Sequence, residues 1–308
     1  MPPHLAILTT PGWDDYALLD SGASKKLERF GANTIVRPEP QAIWQPSGPA
    51  SAWDAADAFF DAKPGDGKAG DEDDNWGRWR FARDLAPEWP VAYRNIRVAC
   101  RFTAFRHVGL FPEQAPHWDW VAARKPVVEG GARPKLLNLF AYTGAASLVA
   151  AEAGYEVTHV DASKKAIAWA KENQAVSGLT QAPIRWICED ATKFVAREVR
   201  RGNRYHGILL DPPKFGRGPA NETWRIEEGL MPMLADCATL LAPGPSFLML
   251  TAYAIRLSAL SLLEAARDPL GTLRGNLEAG ELAVAQNAGG RFLSTSLYVR
   301  WTGPGSAP

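Results

Sequence analysis

The stretch LLNLFAYTG (136–144) decides the fold of this chain. It opens with a mainly apolar run, typical of a strand buried on both faces, and ends in a turn of small and hydroxyl-bearing residues with one glycine. Residues 145–153 follow with the alanine-rich pattern of a short helix. A strand followed directly by a helix is the repeating unit of a parallel sheet covered by helices.

The same unit recurs along the rest of the chain. The further predicted strands are EVTHVD (156–161), IRWIC (184–188), GILLD (207–211) and FLMLT (247–251). The predicted helices after them cover 164–177, 191–200, 227–241 and a segment from about 258. Two closing segments, 282–286 and 292–301, are predicted to form an edge hairpin. The pattern therefore predicts a doubly wound α/β sheet of seven strands with right-handed crossovers.

The first third of the chain has a different pattern. Short apolar pieces are separated by turn residues, which is typical of short strands, and 54–60 are predicted to add a helical turn. Residues 63–75, rich in Gly and Asp, are predicted to form an exposed loop. We expect a β-rich N-terminal domain over 1–108, an α/β domain over 109–302 and a flexible tail over 303–308.

Composition excludes several classes of protein. Lys+Arg and Asp+Glu both number 34 in 308 residues, which excludes a uniformly basic nucleic-acid-binding chain but permits a local basic face. Cys100, Cys188 and Cys237 lack disulfide or zinc-ligand spacing, and the histidines show no ligand spacing, so no metal is expected. Without a basic, apolar leader or a run near 20 apolar residues, we expect a cytoplasmic protein that does not cross a membrane.

Charge is uneven within the first third of the chain. Between 75 and 110, seven arginines stand against two acids and alternate with aromatic residues. The arginines are 78, 80, 83, 94, 97, 101 and 106, and the aromatic residues include Trp76, Trp79, Phe81, Phe102 and Phe105. Such a surface suits phosphates and unstacked bases, which predicts an RNA-binding face. Alternatively, these arginines pair with the acids of the preceding segment, 54–74.

Acidic residues end the second and third predicted strands. In a doubly wound sheet, ligands bind beyond the carboxyl ends of the strands. Asp161 lies 21 positions after Phe140, close to the spacing at which an acid accepts hydrogen bonds from ribose hydroxyls. Asp190 is placed to accept a hydrogen bond from an adenine amino group. Alternatively, each acid caps the helix that follows it.

The fourth predicted strand ends in Asp211-Pro-Pro-Lys-Phe-Gly-Arg-Gly218. Two prolines fix φ and lack N–H groups, so a rigid run of carbonyls stands beside the Asp211 carboxylate. Such a rim can accept hydrogen bonds from an amino group on a planar base, and Lys214 adds positive charge. We therefore predict Asp211, Pro212 and Lys214 as catalytic residues.

Together these segments resemble the class I S-adenosylmethionine-dependent methyltransferases, and within them the branch that includes bacterial ribosomal RNA large-subunit methyltransferases. The segments that carry the resemblance are LLNLFAYTGAASL (136–148), VTHVDASKKAIAWAKEN (157–173), CEDATKF (188–194), LLDPPKFGRG (209–218) and GLFPEQAPHWDW (109–120). The resemblance implies a Rossmann-like, seven-stranded methyltransferase sheet, S-adenosylmethionine as cofactor and RNA as the substrate.

The resemblance also implies a set of cofactor-binding residues. Tyr142, Thr143 and Gly144 would contact the methionine end, Asp161 and Ala162 the ribose, and Asp190 and Ala191 the adenine. Phe140 and Asp211 belong to the same set, and Phe111 and Gln114 would approach the methionine end from outside.

The reacting atom of the acceptor is left open by the sequence. Methylation at carbon-5 of a pyrimidine needs a nucleophile, usually cysteine. Similar proteins that make 5-methylcytosine carry a cysteine after the fifth strand, where this chain has Thr251-Ala-Tyr-Ala-Ile-Arg-Leu-Ser258. Covalent carbon-5 chemistry is therefore not expected. The alternatives are methylation of a small molecule or protein, with the N-terminal domain as a lid, and a silent binding module. A nicotinamide-dependent reductase lacks support because the Gly-x-Gly-x-x-Gly pattern is absent.

Overall fold

The computed structural model describes residues 4–62, 76–253 and 257–305. The chain divides into two compact units. The first comprises Met1–Leu8, Pro116–Leu282 and Ser296–Pro308, and the second comprises Thr9–Ala115 and Ala283–Thr295. The predicted loop over 63–75 and the last three residues of the predicted tail lie outside the described residues.

The first hundred residues form mainly strands. They are β1 (Leu5–Thr9), β2 (Tyr16–Gly22), β3 (Lys25–Phe30), β4 (Asn33–Pro38), α1 (Ala50–Asp54), β5 (Ala58–Ala62), β6 (Gly77–Phe81), β7 (Glu88–Tyr93) and β8 (Ile96–Arg101). Strands β2 to β6 form one sheet in chain order, and β7 pairs with β8. The predicted helical turn at 54–60 is wrong, because the helix ends at Asp54 and β5 pairs with both β4 and β6.

Strands and helices alternate in the remainder of the chain. The elements are α2 (Ala115–Ala123), β9 (Lys135–Leu139), α3 (Ala145–Glu152), β10 (Glu156–Asp161), α4 (Lys164–Val176), β11 (Ile184–Cys188), α5 (Ala191–Arg200), β12 (Gly207–Leu210), β13 (Phe215–Arg217), β14 (Thr223–Arg225), α6 (Ile226–Leu240), β15 (Phe247–Ala252), α7 (Ala259–Leu270), β16 (Asn276–Ala285) and β17 (Phe292–Thr302). The predicted α/β class is confirmed.

The large sheet has the order β1-β16-β17-β15-β12-β9-β10-β11. Five strands, from β15 to β11 in that order, are parallel, and β17 is antiparallel to β15. Chain order reverses between β9 and β12, which makes their carboxyl ends the switch point where ligands bind in such sheets. The prediction placed β1 in the N-terminal domain, but β1 extends this sheet to eight strands. A side chain at Gly280 of β16 would meet the Ala6 carbonyl oxygen at 1.7 Å, so glycine permits this pairing.

The two units depart from the predicted domain boundaries. Residues 109–115 and 283–295 belong with the N-terminal segment. In the second of these segments, the Asn287 N–H donates to the Leu18 carbonyl (2.9 Å) and the Gln286 amide donates to Asp20 (2.8 Å). Partners so distant in the sequence leave no local pattern. Within the predicted tail, Gly303 is buried and its N–H donates to the Ser246 carbonyl at 2.8 Å.

The parallel strands β9, β10, β12 and β15 are buried on both faces. The alternation of side chains along them decides which residues can reach the site. Leu209 and Met249 pack with Trp120 of α2 and the alanines of α3 on one face. Helices α5, α6 and α7 cover the other face. Asp211 lies two residues after Leu209. Because side chains alternate between the two faces of a strand, Asp211 lies on the same face as Leu209, the one covered by α2 and α3. No described helix is long and apolar enough to cross a bilayer.

Candidate active site

The turn after β9 has a backbone conformation that is rare for residues with side chains. Phe140 (φ 55°) and Tyr142 (φ 47°) are left-handed, as is Gly144 (φ 87°). Such conformations cost on the order of 1–3 kcal/mol each and persist only where neighbouring groups hold them. At Gly144 an added Cβ would lie 3.1 Å from the Ala170 side chain, so glycine lets the start of α3 approach α4.

Asp161 holds this turn from the neighbouring strand. Its Oδ2 accepts the Tyr142 N–H at 2.8 Å and its Oδ1 accepts the Ser163 N–H at 2.8 Å. Burial raises the pKa of Asp161, and these two hydrogen bonds oppose the rise. Ser163 rather than Asp161 caps α4, because its hydroxyl accepts the Ala166 N–H at 3.2 Å. Each carboxylate oxygen retains a second lone pair, so Asp161 can accept a hydroxyl hydrogen.

A chain of buried polar side chains supports the turn from below. Asn138 donates to the Ser147 hydroxyl (2.9 Å), which lies 3.0 Å from His159 Nδ1. Burial lowers the pKa of His159 to about 3, so this ring is neutral. Asn173 donates to the Thr143 carbonyl at 2.9 Å. These residues were not predicted from the sequence, although an Asn among the leucines of β9 and a His in the buried middle of β10 were a usable signal.

The third strand tip carries Asp190 and Ala191, both buried. Asp190 accepts the Lys193 N–H at 3.0 Å and therefore caps α5, as the alternative interpretation of this acid proposed. Because Asp161 pairs with Cys188 in the parallel register, the ends of β10 and β11 lie side by side. The second and third tips thus present two carboxylates along one edge of the sheet.

The Asp-Pro-Pro-Lys turn after β12 is held by the short hairpin of β13 and β14. Trp224 donates its indole N–H to the Pro213 carbonyl at 2.7 Å, and its ring lies 4.9 Å from the Phe140 ring. The Ile226 N–H donates to the Lys214 carbonyl at 3.0 Å. The Pro213 carbonyl is therefore committed within the protein. The predicted acceptors of the rim are the Asp211 carboxylate and the Pro212 carbonyl.

The connection between β13 and β14 reaches α5. Glu222 forms an ion pair with Lys193, and the hydrogen bond from Lys193 lowers the pKa of Glu222 to about 2. Glu222 also accepts the Ala220 N–H at 2.8 Å. Lys193 is the residue whose backbone Asp190 caps, so the hairpin links the fourth strand tip to the third.

The predicted residues fall into two groups. Eleven lie at or directly after the carboxyl ends of four adjacent strands of the first unit: Phe140, Tyr142, Thr143, Gly144, Asp161, Ala162, Asp190, Ala191, Asp211, Pro212 and Lys214. Phe111 and Gln114 belong to the second unit. There the Phe111 ring packs at a tilt against His107, with 4.9 Å between ring centroids, and the Gln114 N–H donates to the Phe111 carbonyl. Their approach to a cofactor stays a prediction.

The chemistry of this edge fits a nucleoside. Two carboxylates one strand apart suit ribose hydroxyls and an amino group, and the left-handed turn brings backbone close to the start of α3. Within the described residues, no group of three or more His, Cys, Asp or Glu is arranged to hold a metal ion. The two carboxylates and the turn match an organic cofactor that carries hydroxyl and amino groups.

Comparison with solved structures agrees with this geometry. A SAM-dependent methyltransferase from Agrobacterium tumefaciens is 50% identical, covers 96% of this chain and 93% of its own, and superposes with a TM-score of 0.88. This chain belongs to the SAM-dependent methyltransferases. Its cofactor is accordingly S-adenosylmethionine. No family profile matches the chain.

More distant relatives share parts of this likeness. A protein from Streptococcus mutans described as a SAM-dependent methyltransferase has the same fold at 13% identity, with a TM-score of 0.70 over 93% of this chain and 75% of that protein. The ribosomal RNA large subunit methyltransferase K/L of Shewanella frigidimarina is 35% identical over 152 residues, or 49% of this chain and 20% of that protein. That of Syntrophotalea carbinolica is 33% identical over the same shares. The match thus spans about a fifth of the length of these curated relatives.

Proposed function

We propose that this methyltransferase transfers the methyl group of S-adenosylmethionine to a nitrogen atom of an RNA base. The observation that carries the proposal is the position of the Asp211-Pro212-Pro213 rim. It stands across the switch point from the Phe140–Gly144 turn, so an acceptor at the rim would face a cofactor held by β9, β10 and β11. The curated relatives named as ribosomal RNA methyltransferases support RNA as the substrate class.

The proposed roles follow from the strand tips. Tyr142, Thr143 and Gly144 hold the methionine end of the cofactor. Asp161 and Ala162 bind the ribose, and Asp190 and Ala191 bind the adenine. When bound, S-adenosylmethionine supplies an electrophilic methyl group on a sulfonium ion.

At the rim, alignment is the main contribution of the protein, because the sulfonium is already reactive. The Asp211 carboxylate and the Pro212 carbonyl accept the two N–H groups of an exocyclic amine and turn its lone pair toward the methyl group. The nitrogen–carbon bond forms as the sulfur–carbon bond breaks. The released proton leaves the nitrogen through Asp211 to water. Lys214 positions the substrate by its charge.

The cysteines favour nitrogen over carbon-5 as the acceptor atom. Cys188 ends β11, three strand positions from β12, which is roughly 14 Å at the usual strand spacing. Burial raises the pKa of Cys100 and of Cys237 and keeps both thiols protonated. Neither Cys188 nor Cys237, the two cysteines of the first unit, is placed to attack a base held at Asp211.

The second unit supplies the proposed RNA surface through its aromatic residues. Trp76, Phe81 and Phe105 expose 49%, 46% and 41% of their surface. The Trp76 and Phe105 rings lie 4.4 Å apart, and Trp79 donates its indole N–H to the Phe105 carbonyl at 3.2 Å. Exposed aromatic rings stack unpaired bases with little dependence on sequence.

Part of the arginine charge beside these rings is already neutralised. Arg80 pairs with Asp61, Arg83 with Asp57 and Arg101 with Glu88. Two of these partners, Asp57 and Asp61, come from the acidic segment named in the alternative interpretation of this surface. Base stacking rather than phosphate contact is therefore the larger proposed contribution of this face, and we expect a modest dependence of RNA affinity on salt.

The proposal is tested by methyl transfer to unmodified total RNA. We expect labelled methyl groups to appear on one type of nucleoside, and Asp211→Ala to reduce transfer at least about 100-fold, since it removes the acceptor of the amine hydrogens. Cofactor affinity, measured by calorimetry, should change only a few-fold. Asp268→Ala, on the exposed face of α7, is the matched control. Transfer to a protein or small molecule with none to RNA would reject the substrate class.

A further inference from the structure

A buried polar cluster lies on the far side of Asp211 from the cofactor-binding turns. It consists of His117 of α2, Thr251 of β15 and Tyr298 of β17. His117 Nδ1 lies 3.4 Å from the Thr251 hydroxyl. The His117 ring packs edge-on against the Tyr298 ring, with 5.3 Å between centroids and an angle of 81°.

Strand register brings this cluster to the level of Asp211. Leu210 of β12 pairs with Leu250 of β15, so Asp211 is next to Thr251 on the adjacent strand. Thr251 in turn pairs with Tyr298. Neighbouring strands are about 4.8 Å apart, and residues at one level point to the same face of a sheet. Asp211, Thr251 and Tyr298 therefore form a row on the face that α2 covers.

Packing alone does not explain why these residues are polar. His117 is 2% exposed and Tyr298 is 0% exposed. Among the described residues, His117 Nε2 and the Tyr298 hydroxyl have no hydrogen-bond partner. Each such group costs about 1–3 kcal/mol, and apolar side chains of the same shape would avoid that cost. A function for the cluster is the simpler explanation of its chemistry.

The hydrogen bonding of the cluster can reach the Asp211 carboxylate. Burial, together with the charge of Arg300, holds the pKa of His117 well below its usual range, so the ring is neutral. A neutral imidazole carries one N–H. When that N–H is on Nδ1 it donates to the Thr251 oxygen, and the hydroxyl hydrogen of Thr251 is then directed to another acceptor. Asp211 lies at the same level on the next strand and is therefore a neighbouring acceptor for that hydrogen.

We propose that His117 is a positioning residue, which fixes the Thr251 hydroxyl so that it donates to Asp211 and holds this carboxylate toward the methyl acceptor. Tyr298 packs against the ring and keeps it in place. The inference rests on the role proposed above for Asp211. It adds a side of the site, formed by α2, β15 and β17, that lies opposite the cofactor loops.

The first test is kinetic. His117→Ala and Thr251→Val should each reduce kcat about ten-fold, the loss expected when one hydrogen bond to a charged group is removed. The acceptor KM and the cofactor affinity should change less than about two-fold. His117→Asn should restore most of the rate, because its amide nitrogen can occupy the position of Nδ1. His206→Ala is the control, since His206 accepts the Lys135 N–H at 3.1 Å at the opposite edge of the sheet.

The second test does not need activity. In protein labelled with ¹³C at the aspartate carboxyl carbons, the Asp211 resonance, assigned with Asp211→Asn, should shift in Thr251→Val and His117→Ala but not in His206→Ala. An unchanged resonance in both variants overturns the proposed hydrogen-bonded chain from His117 through Thr251 to Asp211, whatever the substrate. If the wild-type protein fails to methylate RNA but the resonance shifts as expected, the proposed function is rejected and the hydrogen-bonded chain remains supported.

Discussion

Asp20 in the second unit and Asp161 in the first are two shielded carboxylates with different numbers of hydrogen-bond donors. Asp20 is buried and accepts five hydrogen bonds, whereas the half-buried Asp161 accepts two. The donors to Asp20 are the backbone N–H groups of Ser21, Ser47 and Gly48, the indole of Trp53 and the amide of Gln286. The lone pairs of Asp20 are thus used within the protein, and those of Asp161 are not all used.

The pKa values of the two groups move in opposite directions for this reason. Burial alone would raise both. For Asp20, hydrogen bonds from Gly48, Trp53, Ser47 and Ser21 outweigh burial and lower the pKa. For Asp161, burial outweighs the hydrogen bonds from Ser163 and Tyr142, and the pKa is raised. A saturated carboxylate stabilises the fold, whereas an unsaturated one keeps capacity for a ligand.

The largest expected effect is on cofactor affinity at Asp161. Asp161→Ala removes the proposed ribose acceptor and leaves the Tyr142 and Ser163 N–H groups without their partner. We expect the Kd for S-adenosylmethionine to rise at least about 100-fold, equivalent to ~3 kcal/mol. Calorimetry measures this Kd. The matched variant is Asp20→Ala, measured under conditions in which it is folded. Equal losses of affinity in the two variants would remove the distinction between the carboxylates.

A smaller effect on stability is expected at Asp20. Asp20→Asn replaces an acceptor by an amide that faces donors, and we expect the free energy of unfolding of the second unit to fall by about 2 kcal/mol at pH 7. Urea denaturation followed by tryptophan fluorescence measures the change. A loss below about 0.5 kcal/mol would mean that the five hydrogen bonds contribute little.

The pH dependence of the same variant supplies its control. Because the pKa of Asp20 is lower in the folded than in the unfolded protein, its stabilisation is complete above the unfolded value, near 3.9, and is lost as pH falls through the folded value. The difference between wild type and Asp20→Asn should therefore shrink as the pH is lowered below about 4. A constant difference from pH 7 to pH 2 would contradict the lowered pKa.

The smallest expected effect is a loss of stability at Ser163, two residues after Asp161. Ser163→Ala removes the hydroxyl that caps α4 but keeps the backbone N–H that Asp161 accepts. We expect a loss of about 1 kcal/mol in stability, seen as a lower Tm, with cofactor affinity within two-fold of wild type. A large drop in affinity would show that the hydroxyl, rather than the carboxylate, dominates this part of the site.

The strand tips of the first unit were predictable because local chemistry determines them. Glycines 154 and 178 end α3 and α4, and the apolar runs of β10 and β11 agree with the observed strands to the residue. The sequence therefore predicts that Asp161 and Asp190 lie at successive strand tips. The two acids differ because Asp161 also accepts the N–H of Tyr142, which lies in the turn after another strand, and this contact needed the structure.

The remaining features depend on pairing between distant segments. Trp224 fixes the rim through the Pro213 carbonyl, but the two strands of its hairpin have three residues each, too few for a periodic signal. The sequence offered one clue, a glycine at 229 inside the predicted helix. The structure explains it, because an added Cβ there would lie 2.5 Å from the Trp224 ring. His117 stands in α2, a helix that was not predicted, because its residues were noted only as part of a segment that resembles the family. Its relation to Thr251 appears only when β15 is packed against α2.

The pairing of β1 with β16 has a consequence for the order in which the protein can fold. Strand β1 is synthesised well before its partner β16, and the segment 283–295 is synthesised after the remainder of the second unit. In the interval each unit lacks a strand or segment, and the unpaired strand edge is open to pairing with other chains. Long sequence separation between paired strands slows folding, so we expect this exposure to last until β16 and the segment 283–295 have been made.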